Sequence, residues 1–222
     1  MNLMTKEKPY NTLNAYYRHK FGKKVFKVAL NGGFTCPNID GTKGLGGCTF
    51  CSESGSGDYA GNKHDSIPVQ FDKIKAMMHK KWDDAYYIAY FQANTNTYDS
   101  AYNIRAIYED AISLDPKIVG LNIGTRPDAF DDEIYDLLEE LSSKTYLTVE
   151  LGLQTIHEHT STEINRAHDL DCFTDCVTEL KKRKINVVVH IINGLPGESK
   201  EDMLETLEYV NKLGIEGIKI HL

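Results

Sequence analysis

Cys36-Pro37-Asn38-Ile39-Asp40-Gly41-Thr42-Lys43-Gly44-Leu45-Gly46-Gly47-Cys48-Thr49-Phe50-Cys51 sets three cysteines in a C-x11-C-x2-C pattern within a glycine-rich loop. The apolar run at 25–30 lies just before it and reads as a strand. Iron in iron–sulfur clusters is held by thiolate sulfur, so three thiolates in this arrangement suit such a cluster. The third cysteine comes from further off, and the loop between must fold back over the metal. Its glycines, Gly46 and Gly47 among them, allow close backbone approach and positive φ. Three ligands are one short for four irons. An open iron can take a substrate or cofactor, as the open position of a catalytic zinc does.

C-x2-C is also half of a structural zinc site, which wants four protein ligands. His19 or His64 could be the fourth, but neither has a telling spacing, and no second C-x2-C exists. The local pattern favours a cluster and leaves zinc open. A disulfide framework is the weaker reading, because five cysteines is an odd number and nothing in the sequence resembles a secretory signal.

The 222 residues suffice for one sizeable core, and 41% hydrophobic with 26% charged residues is ordinary for a globular protein. A net charge of −7 argues against broad phosphate-backbone binding by this segment. No apolar stretch is long enough to span a membrane, and a reducing, cytoplasmic setting suits free thiolates. Residues 1–24 mix basic and aromatic side chains; they read as an extension or short helix packed on the core at 25–222, rather than a nucleic-acid contact.

Beyond the cysteines, apolar runs at 86–91, 118–123, 146–153, 186–192 and 217–222 alternate with helical patterns at 71–82, 101–114, 131–141, 171–184 and 200–213. Asp131 and Ser199 are plausible caps. Such alternation predicts an α/β fold with parallel strands, here a partial (β/α)6 barrel, since a full barrel has eight units. The runs read as apolar on both faces, as in a sheet covered on both sides. The sequence stops in a strand with no covering element, which leads us to expect that the native chain continues past Leu222.

Ligands of parallel sheets sit at the carboxyl ends of the strands. Those ends carry the cysteine loop, Gln92 to Tyr98, Gly124-Thr125-Arg126-Pro127-Asp128, Gln154-Thr155 and Asn193 to Glu198. Polar side chains and glycines gather at the edge that holds the cysteines, which a closed zinc knuckle would not need.

CPNIDGTKGLGGCTFC, FQANTNTY, IGTRPD, ELGLQT, INRAHD and NGLPGES occur in this order along the chain. On these motifs the sequence resembles radical S-adenosylmethionine (SAM) enzymes, most of all the bacterial YhcC/YtqA-like group. It is more distantly similar to oxygen-independent coproporphyrinogen dehydrogenases and to the catalytic subunit of elongator. The resemblance implies a radical SAM core in which Cys36, Cys48 and Cys51 ligate a 4Fe–4S cluster and SAM chelates the fourth iron. It implies that Phe50 packs near adenine, that Ala93, Asn94 and Thr95 meet the methionine amine, and that Gln154 and Arg166 belong to the SAM site. Arg166 would pair with the SAM carboxylate, since a guanidinium binds it bidentately. Gly194-Leu195-Pro196 would wall the adenine. His190 stands where the coproporphyrinogen enzymes have a ribose-binding aspartate, and would bind ribose or be a core histidine. Gly124 stands where relatives carry a glutamate. The spacing C-x11-C departs from the superfamily's usual C-x3-C and fits the YhcC/YtqA-like group. The implied activity is reductive cleavage of SAM to methionine and a 5′-deoxyadenosyl radical, which takes hydrogen from a substrate. The implied partners are an electron donor such as flavodoxin or ferredoxin and a substrate that is a small molecule or a tRNA; the acidic charge leans against RNA.

Cys172 and Cys176 share a helix face and read as small core residues rather than a second cluster. Asp83-Asp84 and Glu139-Glu140 read as solvated surface. His157 and His159, two apart, read as exposed. Arg126 and Asp128 could contact a ligand or clamp each other.

Overall fold

Each apolar run of the sequence is a strand of one sheet in the computed structural model, which describes residues 3–222. The strands are β1 (Val25–Leu30), β2 (Tyr86–Phe91), β3 (Ile118–Thr125), β4 (Tyr146–Gln154), β5 (Asn186–Ile192) and β6 (Gly217–His221). They lie in the order β1-β2-β3-β4-β5-β6, and every neighbouring pair is parallel. Each is joined to the next through at least one helix, giving the expected partial (β/α)6 barrel.

The crossover helices are α2 (Ile67–His79), α3 (Ala101–Ser113), α4 (Asp132–Lys144), α6 (Leu170–Lys182) and α7 (Lys200–Lys212). Their starts are chemically marked. The Asp131 side chain accepts from the Ile134 N–H, and Ser199 forms a reciprocal capping box with Asp202. Helix α2 begins four residues before the apolar periodicity suggests, because Pro68 sits in its first turn, where its missing N–H costs nothing. One short helix, α5 (Glu158–Glu163), was not expected. It follows β4 directly and has too few apolar residues to show a period.

The outward face of the sheet holds the core. Val28, Leu30, Phe91, Leu121, Ile123 and Val149 are fully buried there among the apolar faces of the helices. Helix α1 (Leu13–Phe21) packs elsewhere, with Tyr17 buried against Val25 and Ile88 beside Tyr146. These residues lie at or near the amino ends of their strands and on the opposite face from Phe26 and Val28.

The sequence reading of strands apolar on both faces needs correction. Alternate residues point inward, and the inward set includes Lys27, Tyr90, Asn122, Glu150, His190 and Lys219. Each strand contributes at least one such residue, which a largely apolar strand of five to nine residues conceals. The concave face is therefore a polar layer beneath the carboxyl ends of the strands.

Candidate active site

A cavity of about 720 Å³ opens at those carboxyl ends. Cys36, Cys48 and Cys51 line it, and no cysteine of the chain is in a disulfide. The loop after β1 carries them back across the sheet. The Thr95 N–H donates to the Thr35 carbonyl, Asn94 N–H to Gly55, and Thr49 N–H to Ile164. Asn165, with φ 51°, donates from its amide to the carbonyls of Leu45 and Gly47. The cysteine loop is thus pinned to the segment after β2 and to the segment after α5.

Buried Asn38 organises the sulfurs from below. Its Nδ2 donates to the Asn165 carbonyl at 2.6 Å and lies 3.3 Å from Cys48 Sγ. A Cβ at Gly44 would overlap Asn38 Oδ1, so glycine here lets the loop close over that side chain. The Ser56 hydroxyl donates to Cys51 Sγ at 3.2 Å, and Arg126 Nη1 lies 3.7 Å from Cys48 Sγ. A hydrogen bond from Cys48 lowers the Cys51 thiol to about 7, and the same bond together with burial pushes Cys48 up. One thiolate of the pair is therefore accessible at neutral pH, and thiolate is the form that binds metal.

Arg126 both clamps and faces the site. Its Nε and Nη2 each hold a carboxylate oxygen of Asp128 at 2.9 Å, leaving Nη1 toward the sulfur. Burial would lower this guanidinium, and Asp128 outweighs it.

Arg166 is 1% exposed and is fixed by backbone carbonyls: Nε to His168 at 3.0 Å, Nη1 to Leu153 at 2.7 Å and to Thr155 at 2.5 Å. Its Nη2 is buried, lacks a hydrogen-bond partner among the described residues, and belongs to a side chain lining the cavity. An orphaned guanidinium nitrogen costs free energy unless an acceptor arrives. The arrangement suits a carboxylate.

Phe50, Asn94, Thr95, Gln154 and His190 also line the cavity, whereas Gly194 does not. Asn94 and Gln154 hold φ values of 59° and 64°, and Ala167, between Arg166 and His168, holds 62°. Left-handed non-glycine residues gather at sites where geometry is over-determined. His168 is pushed down to about 4, by burial first and then by the charges of Arg166 and Arg126. Gly124 lines the cavity where a side chain would approach the Phe91 carbonyl.

The floor contains groups the sequence reading missed. Glu150 is 1% exposed and accepts from Lys27, Asn122 and His190. Burial pushes its carboxyl up, but the hydrogen bond from His190 and the Lys27 charge hold it well below the usual range. His190 is lowered by burial, so it is neutral at pH 7 and donates its Nε2–H to the carboxylate. Its Nδ1 faces His221 Nε2 at 3.4 Å. His190 is thus neither a simple core histidine nor a free ligand. The signal that could have found this layer was one charged residue inside each of three apolar runs: Lys27, Glu150 and Lys219.

Other residues lie elsewhere. Neither His19 nor His64 lines the cavity, so the zinc reading loses both of its candidate fourth ligands. Cys176 is on the buried face of α6, and burial pushes its thiol up to about 12. Glu139 and Glu140 form exposed ion pairs with Arg183, Arg105 and Lys144. His157 departs from the expected exposure. It precedes α5, is half-buried, and its Nε2 lies 3.0 Å from the Asp202 carbonyl.

The thiols, the donors aimed at them and the unpaired Arg166 nitrogen fit a thiolate-bound cluster beside a carboxylate-bearing cofactor. The radical SAM superfamily profile matches residues 42–210. The uncharacterized protein YtqA of Bacillus subtilis is 55% identical over 216 residues, 97% of this chain and 67% of YtqA. Protein YhcC of Escherichia coli is 41% identical over 219 residues, 98% of this chain and 69% of YhcC. Among solved structures, Elp3 of the archaeon Methanocaldococcus infernus shares the fold with a TM-score of 0.61 at 19% identity, over 89% of this chain and 45% of Elp3. Coproporphyrinogen III oxidase (HemN) of E. coli, a radical SAM enzyme, shares it with a TM-score of 0.57 at 12% identity, over 95% of this chain and 47% of HemN. The chain spans about two thirds of the length of these curated relatives and just under half of these solved chains. It belongs to the radical SAM superfamily, alongside YtqA and YhcC.

Proposed function

We propose that the protein is a radical SAM enzyme whose Cys36, Cys48 and Cys51 hold a 4Fe–4S cluster and whose neighbouring side chains hold SAM. The observation that carries this is the conjunction of three thiols with the orphaned Arg166 Nη2 in one cavity. When bound, the cluster, reduced by a donor such as flavodoxin or ferredoxin, supplies the electron that cleaves SAM to methionine and a 5′-deoxyadenosyl radical.

The chain's own residues position and protect. Asn38, Ser56 and Arg126 donate toward the sulfurs, which tunes the potential of what they bind. Arg166 takes the SAM carboxylate on Nη2, a charge-assisted bond in a dry setting. Asn94 and Thr95 bring polar groups to the amine, Gln154 holds the cofactor's polar edge, and Phe50 lies against the adenine. Gly194 shapes the turn after β5, with φ 81°, rather than lining the cavity. His190 has Nε2 on Glu150 and Nδ1 toward His221, so ribose would have to displace His221 to reach it.

Anaerobic reconstitution with iron and sulfide, followed by SAM and dithionite, tests the reading through 5′-deoxyadenosine formation. The native chain should yield the nucleoside and Cys48→Ala should not. Stoichiometric zinc with no iron uptake would overturn it.

A further inference from the structure

Four guanidinium or ammonium groups stand in or under the cavity, and their partners differ. Lys27 is paired with Glu150 and Arg126 with Asp128. Arg166 is held by carbonyls and keeps one free nitrogen, which the proposed function assigns to the SAM carboxylate. Lys219 is different. Its side chain lines the cavity from β6, in register with His190, yet it makes no ion pair or hydrogen bond among the described residues. Its Nζ lies only 5.8 Å from the Tyr90 ring centroid. Glu150, the carboxylate whose field reaches it, is already occupied by Lys27, Asn122 and His190.

An ammonium held half-buried without a counter-charge is costly, and a protein with a net charge of −7 has carboxylates to spare for it. Among the described residues no carboxylate forms an ion pair with it, and Glu150 reaches it only through its field. The neighbouring imidazoles add no positive charge of their own, because burial lowers both His190 and His221 and leaves them neutral at pH 7, so Lys219 is the charge an incoming anion would meet on this side. With His190 donating Nε2–H to Glu150, its Nδ1 accepts from His221 Nε2, and His221 keeps Nδ1 as an acceptor. Lys219 and His221 thus offer a point charge beside a hydrogen-bond acceptor, on the side of the cavity formed by β5 and β6.

We propose that Lys219, with His221 beside it, is the subsite for an anionic group of the substrate, a carboxylate or a phosphate, distinct from the place of the SAM carboxylate on Arg166. This rests on the radical SAM reading for what occupies the rest of the cavity. A monoprotonated phosphate or a carboxylic substrate bearing a hydroxyl would use both partners, the ammonium for charge and His221 Nδ1 for the proton.

Equilibrium dialysis of the reconstituted, SAM-loaded chain tests it, with radiolabelled inorganic phosphate in one arm and radiolabelled acetate in the other. One anion should bind per chain, at least tenfold more weakly in Lys219→Met and with near-native affinity in Lys219→Arg, which controls for folding. The arm that shows this dependence names the anion. Equal binding by the native chain and Lys219→Met in both arms would overturn the subsite. So would a loss of SAM binding in Lys219→Met with no second anion in the native chain, which would give Lys219 to the cofactor. Nucleoside formation by the native chain, measured on the same preparation, judges the radical SAM reading separately. Nucleoside without Lys219-dependent anion binding sinks only the subsite; Lys219-dependent anion binding without nucleoside or iron sinks only the enzyme reading.

Discussion

The two faces of one sheet make the central contrast. On the outward face, Val28, Leu121, Val149 and Val189 are sealed by helices and carry no polar atoms in their side chains. On the inward face of the same strands, one residue away, stand Lys27, Asn122, Glu150 and His190, joined by hydrogen bonds. Period-two alternation separates them, so a single strand serves stability and chemistry at once. Burial is similar on both sides, since Val149 and Glu150 are each 1% exposed or less. The difference is that one side needs neighbours of the right shape and the other needs partners of the right charge.

Breaking the outward face should have the largest effect. Val149→Asp places an unpaired carboxylate among fully buried apolar side chains and should cost more than about 4 kcal/mol, read as loss of the cooperative urea transition. On the inward face the cost depends on pairing. Glu150→Gln strands the Lys27 ammonium and should cost about 3 kcal/mol, whereas adding Lys27→Met should recover about 2 kcal/mol of that in a double-mutant cycle. Additive losses would mean that charge pairing is not what holds the inner layer.

The pH dependence sharpens the contrast. His168 is held at about 4 in the folded chain against about 6.5 unfolded. Between those values the unfolded chain takes a proton that the folded chain refuses. Stability is fully present above the unfolded value and should fall by about 3 kcal/mol as pH drops through the window. His168→Asn should flatten that fall in urea titrations run without added iron. A substitution in the cysteine loop should show the smallest effect on stability. Gly44→Ala drives a Cβ into Asn38 Oδ1 at a loop only partly buried, and should cost about 1 kcal/mol while reducing iron uptake severalfold. An unchanged iron load would show that Asn38 does not place Cys48.

Much of this was legible in the sequence. Runs such as 25–30, 86–91 and 186–192 match their strands residue for residue, because strong apolar blocks between turn residues leave few alternatives. The caps at Asp131 and Ser199 were legible for the same local reason. The cysteines, Asn94, Gln154 and Arg166 carried a pattern, and the structure gathers them around one cavity. Glu150, Lys27 and Lys219 did not stand out. A lone charge in an apolar strand acquires meaning only when strands distant in sequence set it beside its partner, as Lys27 and Glu150 are, 123 residues apart. His157 was misread because exposure was inferred from helical spacing, while the residue precedes the helix and leans on α7.

The deciding question is whether an iron with an open position meets SAM in this cavity. Electron paramagnetic resonance of the reduced, reconstituted chain, recorded before and after SAM is added, measures that. We predict a cluster signal whose line shape changes with SAM in the native chain, and whose response to SAM is lost in Arg166→Met. A signal indifferent to SAM, or a preparation that binds zinc and no iron, would contradict it.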